Sequence, residues 1–468
     1  MKRSRLFFMF MALFLGHLSL ALHAAESHTP WLSPQDSGWT VQPLLNVGDR
    51  VGKQGYRMVG SPDGLGAMKD SNGRLSILMN HEISNEMGKV RLHGGKGAFV
   101  SHWKLDINSL KVVDGEDLVK QVKLWSHQTQ KYSTEQAYRF NRLCSADLPA
   151  PSALFDQLTG KGFSGRIFLN GEEDRNGGRA FAHIVSGDEA GVSYELPHLG
   201  KFAWENAVAN PATGVKTVVM GMDDSPGGQV YMYVGEKRLA GTPVERAGLV
   251  GGQLHALKVQ GERFSLFNFG DVSAMNGDAL EKAGRDGGVA NFMRPEDGAW
   301  DTKHPNIFYF ATTDKIDGTS QLFQLRFDDI AQPEKGGKFQ VVLNARDIGA
   351  QMFDNLTVAG DGSLLIEEDP GDNPHMASIW HFDPETKLTK KIFAVRPENF
   401  INQDSGQYLT QDEENSGVIE ITDLVKEASW FDAKRRYFLG AIQIHAKSSD
   451  PELVEDGQLY LISGPLND

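Results

Sequence analysis

From Tyr56 onward the apolar residues of this chain come in short runs that alternate or bunch for a few positions and then break at a polar or glycine-containing turn. Residues 75–79, 98–103, 166–169 and 216–220 set the pattern, and 253–259, 307–312, 321–327, 364–366, 378–382, 417–421, 441–445 and 458–462 continue it. β-Branched and aromatic side chains are frequent in these runs, which predicts strands. Helical spacing is confined to 133–141, 152–158 and a stretch near 274–282, and residues 26–50 read as an irregular lead-in.

Where the runs stop, acids gather: Asn80-His81-Glu82, Gly171-Glu172-Glu173-Asp174, Gly221-Met222-Asp223-Asp224, Thr312-Thr313-Asp314, Ile366-Glu367-Glu368-Asp369 and Asp412-Glu413-Glu414. After most of them a glycine-containing turn leads into a second strand with aromatic residues, as at 228–234. The clusters recur at about 45 to 55 residues or near twice that, and propeller blades repeat at about 40 to 50. The prediction is an all-β chain, a six-bladed β-propeller with short helical insertions, filling residues 26–468 as one catalytic domain. A sandwich with long loops is the alternative. In a propeller, acids at one end of each hairpin face a single axial mouth, which suggests a polyvalent metal site.

Charge and compartment sharpen this picture. Residues 1–25 hold Lys2, Arg3 and Arg5, then an apolar stretch from Leu6 to Leu22, then Ala24 and Ala25, the order of a Sec-type signal peptide. Cleavage there leaves an exported chain, periplasmic or secreted, with no membrane attachment, and takes the formal charge from -14 to -17. Such an acidic surface repels nucleic acid and favours bound cations. The lone Cys144 excludes an intramolecular disulfide.

Asp and Asn are ordinary turn residues, so Asp174, Asp224 and Asp314 say little by themselves. Glutamate has no such local role, and Glu82, Glu173, Glu296, Glu368 and Glu414 all stand at or near strand ends. Convergent carboxylates repel unless cations lie between them, and hard cations such as Ca2+ or Fe3+ suit an oxygen-rich set. Cys144 reads either as a small buried hydrophobe or as a thiolate beside a metal, with Arg142 helping to hold it deprotonated. In Arg294-Pro295-Glu296-Asp297 a guanidinium can fork onto phosphate oxygens while Glu296 binds the ion that neutralises the same phosphate. Trp204-Glu205-Asn206 and Asp354-Asn355-Leu356 repeat a carboxylate beside an amide. His81, next to Glu82, can bind metal, move a proton, touch phosphate or serve structure alone. Nucleotide-binding loops, zinc-protease motifs and a serine-hydrolase elbow are absent from the sequence.

Taken in order, Asn80-His81-Glu82, Cys144 after Arg142, Gly171-Glu172-Glu173, Trp204-Glu205-Asn206, Arg294-Pro295-Glu296-Asp297, Asp354-Asn355 with 365–369, and Glu414-Asn415-Ser416-Gly417 resemble the PhoX-type alkaline phosphatase family, as a divergent member. The run after Cys144 reads Ser-Ala-Asp-Leu, and the leader is of the general secretory kind. The resemblance implies a β-propeller whose axial site holds iron and calcium, Fe3+ and Ca2+, and hydrolyses small-molecule phosphate monoesters as a monomer. It implies that Cys144 ligates iron, that Glu173 and Glu296 are acidic ligands, that Arg294 binds phosphate, and that Glu82, Glu205, Asp354, Glu368 and Glu414 are further candidates for metal contact. Two other readings stand beside it: a calcium-binding propeller that catalyses nothing, and a calcium-dependent phytase-like or lactonase-like hydrolase.

Overall fold

Six blades, antiparallel but for one strand pair in blade 2, surround one axis in the computed structural model, which describes residues 28–465. The signal-peptide expectation falls outside these residues. Blade 1 runs Pro62–Lys69, Leu75–His81, Phe99–Asp106, Lys111–Asp117 from the axis outward. Blade 2 contains Ile167–Gly171, Ala180–Ile184 and Val192–Glu195, and is widened by Gln121–Ser126, which pairs in parallel with Val192–Glu195, and by Lys131–Glu135. Blades 3 and 4 start from Trp204–Ala209 and Pro295–Trp300 and share one nine-stranded sheet, because Arg263 and Phe264 pair with Lys338 and Gly337. Blades 5 and 6 start from Phe353–Val358 and Glu413–Glu420.

The chain closes the ring with its N-terminal part. Thr40–Asn46 adds the outer strand of blade 6 by pairing with Asp456–Pro465, and Leu32–Pro34 pairs with Thr389–Val395 of blade 5. The region expected to be an irregular lead-in therefore supplies two strands, because its partners lie hundreds of residues away and leave no local signal. The helix expected at 133–141 is absent: Lys131–Glu135 is a strand paired with Gln121–Ser126, and its cross-strand partners override the helical spacing. Helices do form at Pro151–Leu154 and Gly277–Asp286, the latter capped by Asn276, whose side chain accepts from Ala279 N.

The core is divided into six apolar seams, one between each pair of neighbouring blades. Period-two alternation explains how one strand feeds two seams. In Ile307–Thr312, Phe308 and Phe310 enter the seam with blade 3, while Tyr309 and Ala311 enter the seam with blade 5. With both faces covered, such a strand reads as an unbroken apolar run.

Candidate metal centre at the axis

In five of the six blades the inner strand carries one extra residue near the axis. The ladder of Trp204–Ala209 slips between Trp204 and Ala207, that of Pro295–Trp300 between Pro295 and Gly298, that of Phe353–Val358 between Phe353 and Leu356, and that of Pro62–Lys69 between Pro62 and Leu65. In Glu413–Glu420 the slip comes between Asn415 and Val418. Blade 2 has an irregular inner segment instead, in which Leu143 bridges Glu172 and Asp147 bridges Leu169. A bulge re-aims its side chains, and here it turns them toward the axis. Asp63, Glu205, Glu296 and Asp354 sit within these slips, and with Glu414, just before its own slip, and Cys144, on the blade 2 segment, they form an inner ring.

A second ring comes from the ends of the next strands. In each blade one backbone bond ties it to the inner strand, two residues before the inner-ring member: Glu82 N to Ser61 O, Glu173 N to Arg142 O, Asp224 N to Ala203 O, Thr313 N to Arg294 O, Asp369 N to Met352 O and His445 N to Asp412 O, all 2.9–3.1 Å. Four of the six acceptor residues sit in the left-handed region, with φ of 49° at Ser61, 45° at Arg142, 57° at Arg294 and 46° at Met352. Non-glycine residues held there cost on the order of 1–3 kcal/mol each and cluster at functional sites. Gly64 lets the first inner strand approach the Cys144 segment: its N–H donates to Cys144 O at 3.2 Å, and a Cβ there would lie 2.4 Å from Ala146 N.

The two rings line one narrow cavity, made by Asp63, Glu82, Arg142, Cys144, Glu173, Glu205, Asp224, Arg294, Glu296, Asp354, Asp369 and Glu414. Nine carboxylates and a thiol thus face two guanidiniums. Arg294 forks onto Asp224 through Nε and Nη2 at 2.8 and 2.9 Å and lies 3.2 Å from Glu296 Oε1. Arg142 donates to Glu82 Oε1 at 2.9 Å and pairs closely with Glu173 Oε2. The Cys144 thiol donates to the same Glu173 oxygen at 2.9 Å.

This arrangement crowds together more acids than its own donors satisfy. Burial, reinforced by neighbouring acids, pushes Asp63, Glu205, Glu296 and Asp354 well above the carboxylate range. Burial also raises Asp369 to about 7 and, with Glu173, drives the Cys144 thiol up, so that Arg142 does not outweigh burial at the sulfur. Burial acts the same way on Glu82, but Arg142 and Gln443 overcome it and leave Glu82 lowered, whereas Glu173, sharing that arginine, stays raised. Asp63 Oδ1 is buried without a hydrogen-bond donor, and Glu296 Oε1, in ion-pair range of Arg294, has no aligned donor. Three sets of ligand atoms lie within 4.8 Å of one another: Asp63, Glu82 and Cys144; Glu205, Glu296 and Asp354; Asp354, Asp369 and Glu414. Two oxygens on one calcium ion can be no more than about 5 Å apart, twice the Ca–O distance, so each set suits a shared ion. The acidic clusters can hold metal, and the donorless oxygens and the oxygen-rich donor set fit hard cations.

Of the residues singled out in the sequence, Cys144, Glu173, Glu296, Glu82, Glu205, Asp354, Glu414 and Arg294 meet in this cavity. Glu368 and His81 do not. Glu368 accepts from Gln351 N at 2.7 Å and lies 3.2 Å from His375 Nε2, and its neighbour Asp369 takes the axial place. His81 is fully buried and stacked on Phe99, with Nδ1 3.1 Å from Gly60 O and Nε2 2.9 Å from Ser101 Oγ. Asp63, Asp224 and Asp369 complete the rings. Asp224 and Asp369 had a signal in the sequence, since each closes one of the acidic clusters, as Glu82 does. Asp63, between Pro62 and Gly64, had none.

No protein-family model and no curated protein matches this chain in sequence. Among solved structures, Pseudomonas fluorescens PhoX in complex with vanadate, a transition state analogue, superposes with a TM-score of 0.66 at 13% identity, over 92% of this chain and 96% of that one. The NanB sialidase from Streptococcus pneumoniae aligns with a TM-score of 0.38 at 8% identity, over 91% of this chain and 71% of that one. The first likeness shows the β-propeller fold. Among the described residues no helix is long and apolar enough to cross a membrane.

Proposed function

We propose that the chain is an exported metal-dependent phosphatase, a divergent relative of the PhoX-type enzymes, that hydrolyses phosphate monoesters at the axial mouth. The observation that carries this reading is the convergence of Cys144, nine carboxylates and two partly exposed arginines on one cavity. The vanadate bound to Pseudomonas fluorescens PhoX, a neighbour in fold, agrees with phosphorus chemistry. Asp63, Glu82, Cys144 and Glu173 would hold iron on one side of the axis, and Glu205, Glu296, Asp354, Asp369 and Glu414 would hold calcium on the other. Bound there, such ions supply charge neutralisation of the phosphate and activation of water near neutral pH.

The chain's own residues supply the rest. Arg294 is oriented by Asp224, and Arg142 by Glu82 and Glu173, so both guanidiniums are fixed before substrate arrives. Fixed donors stabilise the charge that builds on the equatorial phosphate oxygens without reorganising during reaction. In phosphoryl transfer such positioning and charge stabilisation carry most of the catalysis. The side chain of Arg142 is 47% exposed and that of Arg294 28%, which puts them between the ring carboxylates and an incoming phosphoester. The protein would act as a monomer on small substrates, after removal of its leader.

Glu296→Gln should lose metal and phosphatase activity together, whereas Arg294→Ala should retain metal and raise KM or lower kcat for p-nitrophenyl phosphate. The assignment fails if both variants turn over this substrate as the parent does. Calcium without iron in the purified protein, together with no turnover, points instead to a non-catalytic calcium-binding propeller.

A further inference from the structure

Gln443 is a neutral side chain set among the acids. It lies in Arg435–Ile444, opposite Glu414 in the ladder, and is 1% exposed. Its Nε2 stands 3.3 Å from Asp63 Oδ2, 2.9 Å from Glu82 Oε2 and 3.1 Å from Glu414 Oε1. A single amide nitrogen thus touches carboxylates from three segments, at a place where a cation would also find three oxygens.

Two of the candidate ion sets meet here. Asp63 and Glu82 belong to the set with Cys144, and Glu414 to the set with Asp354 and Asp369. The amide takes one oxygen from each of the three acids. Asp63 keeps Oδ1 without a donor, Glu82 turns Oε1 to Arg142, and Glu414 leaves Oε2 3.6 Å from His445 Nε2. An amide nitrogen has two hydrogens and no charge, so it can serve Glu82 and Glu414 fully and Asp63, the farthest at 3.3 Å, by sharing, without recruiting an ion; Glu414 Oε1 also accepts from Ser416 Oγ.

We propose that Gln443 is a positioning residue that sets how many cations the axis holds: its amide occupies the gap between the Asp63–Glu82–Cys144 set and the Asp354–Asp369–Glu414 set and keeps it closed to metal. The inference rests on the cation-binding part of the proposed function and is independent of whether phosphate is the substrate. A glutamate at this position would remove the donor and add a fourth carboxylate, enough oxygens to hold a hard cation.

The test compares parent, Gln443→Glu and Gln443→Met, each dialysed against buffered calcium, by bound metal per chain, calcium affinity and Tm with and without calcium. Gln443→Glu should bind about one more calcium per chain and gain more Tm from calcium than the parent does. Gln443→Met keeps the length but loses the donors. It should bind no extra ion and should weaken calcium binding by about 10- to 100-fold, as loss of a partner to ligating carboxylates does. Equal metal content and equal calcium affinity in all three proteins, with only a uniform drop in Tm, would make Gln443 a packing residue and overturn the proposal. If Gln443→Glu does not fold, unchanged calcium affinity in Gln443→Met overturns it equally. A parent that binds metal but fails to hydrolyse p-nitrophenyl phosphate sinks the phosphatase reading and leaves this one standing.

Discussion

Between the blades and along the axis the same strands solve opposite problems. The seams gather side chains that need nothing but each other: Phe310 stacks on Phe323 at 4.9 Å and meets Phe292 edge-on at 5.2 Å, fully buried. Each such side chain contributes roughly 1.5–3 kcal/mol on burial. The axis gathers acids that repel, with donors for only some of their oxygens. The difference teaches that the ring is held by its seams, and that burial keeps most of the axial acids protonated unless cations replace those protons.

Chelation is the largest way to break this comparison. Stripping metal should destabilise the protein by about 4 kcal/mol for each site previously held at a thousand times its Kd, and calorimetry with and without chelator measures it. The seams should be indifferent to chelator. Phe310→Ala should cost about 3–5 kcal/mol, and denaturant titration should give the same loss in metal-loaded and metal-free protein. A loss that depends on metal would show that seam and axis are coupled.

pH separates the two regions next. Asp147 is raised to about 7 by burial and accepts from Ala209 N at 2.8 Å. Its folded pKa lies above its unfolded value of about 4, so its stabilising contribution is complete below pH 4 and is lost as pH rises through 7. Asp147 should therefore add up to about 1.4 kcal/mol per pH unit to the weakening of metal-free protein across that interval, beside what the raised axial acids add, and Asp147→Asn should remove that share. The smallest contrast is between neighbours. Asp369→Asn should weaken metal binding about 10-fold or more, while Glu368→Gln should leave metal affinity unchanged in the same titration.

Much of this was legible in the sequence because chemistry was concentrated at strand ends. The all-β propeller, Cys144 and most of the ring glutamates were visible there. What stayed hidden depends on bulges and closure. A slip of one residue decides whether Glu368 or Asp369 reaches the axis, and no local pattern encodes the backbone bond from Asp369 N to Met352 O that fixes it. The acidic clusters also mixed two rings. Glu414 belongs to an inner strand, whereas the place equivalent to Glu82 in blade 6 is taken by His445, held protonated with a pKa of about 12 by Glu414 and Glu455 against the effect of burial. In blade 4 the corresponding position is Thr313, whose hydroxyl donates to Phe353 O. Asp63 was invisible because Pro62 and Gly64 make it look like a turn.

Ring closure sets an order of events. Thr40–Asn46 has no strand partner until Asp456–Pro465 has been synthesised, so blade 6 gains its outer strand last. The cage that includes Asp63 and Glu414 likewise joins residues from opposite ends of the described chain. Any cation held by the complete cage would be captured only after its segments meet, in whatever compartment that happens, and the metal available there would decide what the finished protein carries.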